Sequence, residues 1–232
     1  GVHLVAPRQP KKPNRPQGKL MAEDKPTIDV MESAPFIVKG LKNLYDADGN
    51  NIEMEKDVIA LCRCGGSQNK PFCDGAHRGN GFKGDNEGGK GHELRESEGE
   101  EVTVVDDRNL CCFASACSAG APSVFFKRED GQRFATPDAS SAQEVIDTIR
   151  KCPSGSLLYK LKGELQDQYF STAEIQILKD GPIAVRGGIV LNNPDGGQPK
   201  TTSHYTLCRC GHSTNKPFCD GAHSDAGFSD AS

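Results

Sequence analysis

Two short segments of the chain carry three cysteines and one histidine in the same spacing. Residues 61–77 read LCRCGGSQNKPFCDGAH, and residues 207–223 read LCRCGHSTNKPFCDGAH. In each, C-x-C is followed eight residues later by C-x-x-x-H. Thiolates and neutral imidazole are ligands for borderline-soft metals. The candidate ligands are Cys62, Cys64, Cys73 and His77 in the first segment, and Cys208, Cys210, Cys219 and His223 in the second. Two thiolates one residue apart can chelate a single ion. If the chain is helical from Phe72 onward, Cys73 and His77 lie one above the other on one face. The four ligands then form two adjacent pairs, an arrangement that suits a [2Fe-2S] rhomb with one pair on each iron.

Other chemistries compete for the same residues. A structural zinc site also takes three Cys and one His, but its usual knuckle is C-x(2–4)-C rather than C-x-C. Disulfides are disfavoured, because no export signal is visible near the start and a reducing compartment is the default. Burial as small hydrophobes fits poorly beside the Gly- and Pro-rich neighbours in RCGG and KPFCDG. From the residues alone the spacing favours iron–sulfur over zinc, and both remain open. A ligated thiolate is not free to attack, so Cys73 and Cys219 are not read as nucleophiles. Without a Gly-rich phosphate loop or a Ser/His/Asp set, the chain is not expected to be an enzyme.

The elements that must position these ligands are also repeated. APFIVKG (34–40) matches GPIAVRG (181–187), and GNGF ending at Phe82 matches DAGF ending at Phe228. Each unit reads as Pro, a short apolar strand, a basic residue with Gly, a polar turn, a second strand, the Cys/His segment and Gly-Phe. DADG (46–49) and NPDG (193–196) supply the turns. Between the units, EVTVV (101–105) and SLLYKL (156–161) read as strands. SAQEVIDTIRKC (141–152) reads as a helix, with Ser141 and Glu144 in capping-box spacing and Val145, Ile146 and Ile149 on one face. NEGGKGHE (86–93) makes a flexible lead-in to this middle unit.

The 232 residues, only 35% of them hydrophobic and 26 of them Gly, predict several small cores that need metal staples. A net charge of -4 gives no basic field for nucleic acid. No apolar run approaches the ~18 residues of a membrane span. Residues 1–20 read as a Pro-rich flexible arm or a vector-derived leader, with Met21 as a candidate native start. An organelle transit segment fits less well, for want of an amphipathic helix. The expected organisation is an arm over 1–33, a first repeat over 34–92, a middle unit over 93–180 and a second repeat over 181–232.

The two Cys/His segments resemble the signature of the CDGSH iron–sulfur (NEET) family, C-x-C-x2-S/T-x3-P-x-C-D-G-S/A/T-H. Cys62, Cys64, Ser67, Pro71, Cys73, Asp74, Gly75 and His77 match it. So do Cys208, Cys210, Ser213, Pro217, Cys219, Asp220, Gly221 and His223, with Ala76 and Ala222 at the name-giving Ser. The resemblance implies one [2Fe-2S] cluster per segment, two in all, each held by three Cys and one His. In that family two units exchange strands in a homodimer with a β-cap and a cluster-binding lobe. Two units in one chain then imply an intramolecular pseudo-dimer of α+β class, a monomer in solution. Unlike the membrane-anchored members, this chain shows no transmembrane helix, so a cytoplasmic location is expected.

The implied function is electron transfer or redox sensing with a redox partner protein. The alternative is a carrier that releases clusters to an apo acceptor on histidine protonation. In the middle unit Cys152-Pro153 resembles the final Cys-Pro of single-cluster ferredoxins. Cys111 or Cys112, followed by Cys117, resembles the ligand loop of a divergent ferredoxin-like family. The usual C-x2-C-x2-C run is missing, and Cys111 and Cys112 are adjacent and do not easily point the same way. A third cluster and a ferredoxin-like fold that has lost its cluster both remain open.

Overall fold

The computed structural model describes residues 25–84, 91–127, 133–194 and 196–230. The expected arm before residue 25, most of the glycine-rich lead-in and Asp195 of the second turn lie outside the described residues.

In chain order the first strands are β1 (Thr27–Asp29), β2 (Phe36–Lys39), β3 (Leu44–Tyr45) and β4 (Val58–Leu61). The middle of the chain supplies β5 (Leu94–Ser97), β6 (Val102–Asp107), β7 (Phe125–Lys127), β8 (Arg133–Ala135), β9 (Leu157–Leu161) and β10 (Glu164–Gln166). The last strands are β11 (Glu174–Ile177), β12 (Ile183–Arg186), β13 (Val190–Asn192) and β14 (His204–Leu207). Three α-helices are described: α1 (Ala116–Gly120), α2 (Ala142–Arg150) and α3 (Ala222–Asp225). The α+β class expected from the sequence is what forms.

The two repeats build matching sheets that each borrow one strand. One sheet runs β13-β1-β2-β4, and the other runs β3-β11-β12-β14. In the first, Ile28 on β1 pairs in parallel with Leu191 on β13. In the second, Ile175 on β11 pairs in parallel with Leu44 on β3. The third strand of each repeat therefore completes the sheet of the other. Period-2 alternation makes this worthwhile. Phe36 and Val38 on β2 and Ile183 and Val185 on β12 join Leu44, Leu191, Leu61 and Leu207 in one shared core. Each fully buried side chain of this kind contributes roughly 1.5–3 kcal/mol.

The middle unit has its own antiparallel sheet, β10-β9-β6-β5, and its own core. α2 covers that sheet with Val145, Ile146 and Ile149 buried, as its periodicity predicts. Ser141 caps the helix by accepting from the Glu144 amide, while the Glu144 carboxylate pairs with the Ser140 hydroxyl. The remaining two strands, β7 and β8, pair antiparallel with each other.

The junction of the middle unit with the second repeat centres on His204. Its ring is buried against Tyr169 and Phe170, at centroid distances of 5.3 and 5.2 Å. Neither ring nitrogen has a hydrogen-bond partner among the described residues. Burial, reinforced by the Arg186 guanidinium, pulls the imidazole from 6.5 down to about 4. The unfolded chain then binds the extra proton across that window, so stability is complete above pH 6.5 and falls as pH drops toward 4. A shift of this size is worth roughly 3 kcal/mol. His204→Phe keeps the ring and removes the titration. Urea midpoints at pH 7 and pH 4.5 should show the variant losing less stability on acidification than the parent; equal losses would show that His204 is not the titrating group.

Candidate metal centres

Each Cys/His segment folds back on the strand that leads into it. Leu61 bridges to Phe72, the Cys62 amide donates to the Pro71 carbonyl at 2.8 Å, and the Cys73 amide donates to the Ala60 carbonyl at 2.8 Å. The second segment repeats this with Leu207 and Phe218, Cys208 and Pro217, and Cys219 and Thr206. The hydroxyls of Ser67 and Ser213 close the loop between them, donating to the carbonyls of Phe72 and Phe218 at 2.6 and 2.7 Å. The fold-back carries C-x-C and the third cysteine of each segment to the same end of the hairpin.

The thiols and imidazoles come together as pairs. The Sγ atoms of Cys62 and Cys64 are 4.0 Å apart, and those of Cys208 and Cys210 are 3.6 Å apart. In both segments the third cysteine's Sγ lies 3.4 Å from the histidine Nδ1: Cys73 with His77 and Cys219 with His223. Two sulfurs bound tetrahedrally to one metal at about 2.3 Å would sit about 3.8 Å apart, and a sulfur with an imidazole nitrogen about 3.5 Å apart. All four pairs are therefore spaced as neighbouring ligands on one ion. Among the described residues, no three Cys, His, Asp or Glu side chains gather closely enough to hold a single ion.

The helical stacking expected for Cys73 and His77 is not how the second pair forms. The helical turns begin only at Ala76 and Ala222. Gly75 and Gly221, at φ 95° and 88°, stop the helix from reaching back to the cysteines. A carboxylate turn does the positioning instead. Asp74 accepts from the amides of Ala76 and Gln68, at 3.0 and 2.8 Å, and Asp220 accepts from those of Ala222 and Thr214, at 3.1 and 2.8 Å. These amide bonds hold the Asp74 carboxyl below its ordinary value. Burial opposes the same effect at Asp220, but its amide and Thr214 bonds prevail and it is lowered too.

Charge on the thiols is set by burial and by neighbours. Burial pushes the Cys62 thiol up. In the second pair the sulfurs of Cys208 and Cys210 share one hydrogen bond, which favours a single thiolate in the pair, while burial and the charge of that thiolate oppose a second. Burial also raises Cys219 and lowers His223, the latter helped by the Arg209 guanidinium. The amides of Gly75 and Gly221 each lie 3.4 Å from the adjacent cysteine sulfur, and that of His212 lies 3.4 Å from Cys210.

The arginine between the paired cysteines, unremarked in the sequence reading, turns to the other side of the strand. Arg63 donates to the carbonyls of Met31 and Gly84 and stacks between Phe36 and Phe82, at 5.2 and 5.6 Å. Arg209 donates to the carbonyls of Gly181 and Leu178, both at 2.7 Å, pairs with Asp230 and stacks on Phe228 at 5.0 Å. Phe82 and Phe228 are the ends of the repeated Gly-Phe motif. Its place in the repeat was the available signal.

The repeats meet at the sites themselves. Cys64 and Cys210 form an antiparallel bridge. A Cβ on Gly65 would come 2.6 Å from the Cys210 carbonyl oxygen, so only glycine permits this approach.

Residues 33–78 and 180–224 match the family described as the iron-binding zinc finger of CDGSH type. The chain carries two CDGSH-type iron-binding domains. Between them, residues 97–162 match the family described as divergent 4Fe-4S mono-cluster. The tandem CDGSH arrangement with an inserted ferredoxin-like domain is thus the one that the sequence suggested, and the chain is an iron–sulfur protein. No curated protein and no solved structure matches it. No described helix is long and apolar enough to cross a membrane.

The inserted domain holds a cavity of about 500 Å³ lined by Cys111, Cys112, Cys117 and Cys152, among others. Adjacency does not keep Cys111 and Cys112 apart: both line it. The loop makes this possible with Phe113 and Ser115 in the left-handed region, at φ 57° and 58°. Burial, with the neighbouring Cys152 and Cys111, pushes the Cys112 thiol up to about 12.

Proposed function

We propose that each CDGSH domain holds one [2Fe-2S] cluster and that the chain is an electron-transfer or redox-sensing protein. Cys62 with Cys64 and Cys73 with His77 would serve the two irons of the first cluster. Cys208 with Cys210 and Cys219 with His223 would serve those of the second. The observation that carries the reading is the spacing: pairs set for one tetrahedral ion each, with no group of three around a single point among the described residues. A mononuclear zinc site would need all four ligands mutually close. The exchange of β3 and β13 between the sheets supports an intramolecular pseudo-dimer. The four-cysteine cavity and the 4Fe-4S family match support a third centre in the inserted domain.

A bound [2Fe-2S] cluster supplies a one-electron couple. The chain's own groups tune it. A neutral imidazole in place of a thiolate raises the potential relative to four-Cys ligation. Amide N–H groups directed at Cys73, Cys219 and Cys210 stabilise negative charge on sulfur and act in the same direction. A partner that exchanges single electrons, and no nucleic acid or membrane, is the expected counterpart.

The test is potentiometry of His77→Cys and His223→Cys. Each should lower the potential of its own centre by roughly 100–350 mV, about half the span between two-His and four-Cys clusters. The double variant should also show a shallower dependence of potential on pH. Unchanged potentials would show that His77 and His223 are not ligands.

A further inference from the structure

The two CDGSH segments share the run N-K-P-F-C, yet the structure treats the copies differently. In the first, Asn69 is exposed, and Lys70, Pro71, Phe72 and Cys73 are only partly covered. In the second, Asn215, Lys216, Pro217, Phe218 and Cys219 are all buried. Identical side chains in the same local hairpin do not produce this difference. What lies over them does.

The cover is the cysteine loop of the inserted domain. Asn215 Nδ2 donates to the Asn109 carbonyl at 2.5 Å, and Leu110 is buried in the core shared by the two repeats. The Phe113 ring then lies on Gly221, where an added Cβ would come 2.5 Å from the ring carbon Cδ2. At the equivalent Gly75 an added Cβ would meet nothing within 4 Å among the described residues. Phe113 holds this position at φ 57°, an outlier for an aromatic residue that surrounding contacts must offset. Backbone strain of this kind between two thiol sites points to a placed ring rather than an incidental one.

We infer that the inserted domain caps the second Cys/His site through Phe113, which leaves the first site open to exchange with thiol-bearing acceptors and chelators and the second site shielded. Phe113 is a positioning residue: its ring lies on Gly221, two residues from both Cys219 and His223. The inference rests on the proposed pair of clusters and goes beyond it by assigning unequal roles to the two outer sites. The first is the exchanging site and the second the retained one.

The test follows iron release from the loaded full-length protein to excess ferrous chelator under dithionite at constant neutral pH. Two phases of similar amplitude are expected from the outer sites, the slower by at least about tenfold, which corresponds to ~1.4 kcal/mol of added opening cost. Cys73→Ala should remove the fast phase and Cys219→Ala the slow one. Phe113→Ala should speed only the slow phase, and Phe113→Leu should largely restore it. The Phe113 side chain is 56% exposed and in neither hydrophobic core, so its truncation leaves both cores intact. Equal release rates at the two sites, or acceleration of both by Phe113→Ala, would overturn the cap. Iodoacetamide labelling of the metal-free chain, read by peptide mass, tests the cap without iron. Cys73 should be modified faster than Cys219, with the gap closing in Phe113→Ala, and equal modification would overturn it. A chain that binds no iron would instead defeat the proposed function, while the labelling result still decides the cap.

Discussion

Cys73→Ala and Cys219→Ala are each expected to remove about two irons per chain while leaving the other outer site loaded. Each substitution takes the sulfur out of an Sγ–Nδ1 pair 3.4 Å across, so the histidine remains as a single monodentate arm. The C-x-C pair at the other side of the site stays intact, but it can serve only one ion. Metal binding is coupled to folding where the site is part of the fold. Thermal unfolding should therefore soften as well, more at Cys219, which is buried, than at Cys73, which is half-covered. Iron content by colorimetry and unfolding by circular dichroism check both parts. Unchanged iron in either variant would remove that cysteine from the ligand set.

Arg209→Ala should cost about 3–5 kcal/mol, the range seen when one partner of a buried ionic network is removed. Arg209 is 2% exposed. It ties together three parts of the second domain: the carbonyls of Leu178 and Gly181 before β12, the Asp230 carboxylate after α3, and the Phe228 ring. Truncation leaves two carbonyls and a carboxylate without this partner and opens a void under Phe228. Lysine should rescue poorly, because a point charge cannot reproduce the planar fork or the stacking. Arg63→Ala should cost less, since among the described residues the bonds from Arg63 go to the Met31 and Gly84 carbonyls and involve no carboxylate. Urea unfolding of the three variants gives the order; a loss below about 1 kcal/mol for Arg209→Ala, the scale of an exposed pair, would show that the network is not held as described.

What could be read from the sequence was what local pattern determines. The repeated unit, with a short apolar strand early and a second strand before the Cys/His segment, pointed to β2, β4, β12 and β14; alternation located β9, and periodicity with a serine cap located α2. The repeated C-x-C and C-x-x-x-H runs picked out residues that the fold does bring into pairs. What could not be read depends on distant contacts or on backbone sign. The helix expected under Cys73 fails because Gly75 takes positive φ, and an Asp74 turn replaces it. The roles of Arg63 and Arg209 went unread because their carbonyl partners lie 21 or more residues away. The unequal cover of two nearly identical segments was invisible, since it comes from a loop more than 100 residues before Asn215. Sequence adjacency argued against Cys111 and Cys112 sharing a site. Left-handed backbone at Phe113 and Ser115, which side-chain type alone does not announce, shapes the loop in which both line one cavity.

The central claim is that paired ligands in each CDGSH domain hold two irons bridged by sulfide. Iron, zinc and acid-labile sulfide per chain, measured with the visible spectrum on protein from iron-replete cells, tests it most directly. A coloured protein with about four irons and about four sulfides from the outer domains, and a further increment from the inserted one, is the predicted result. A colourless, zinc-loaded chain without labile sulfide would contradict it.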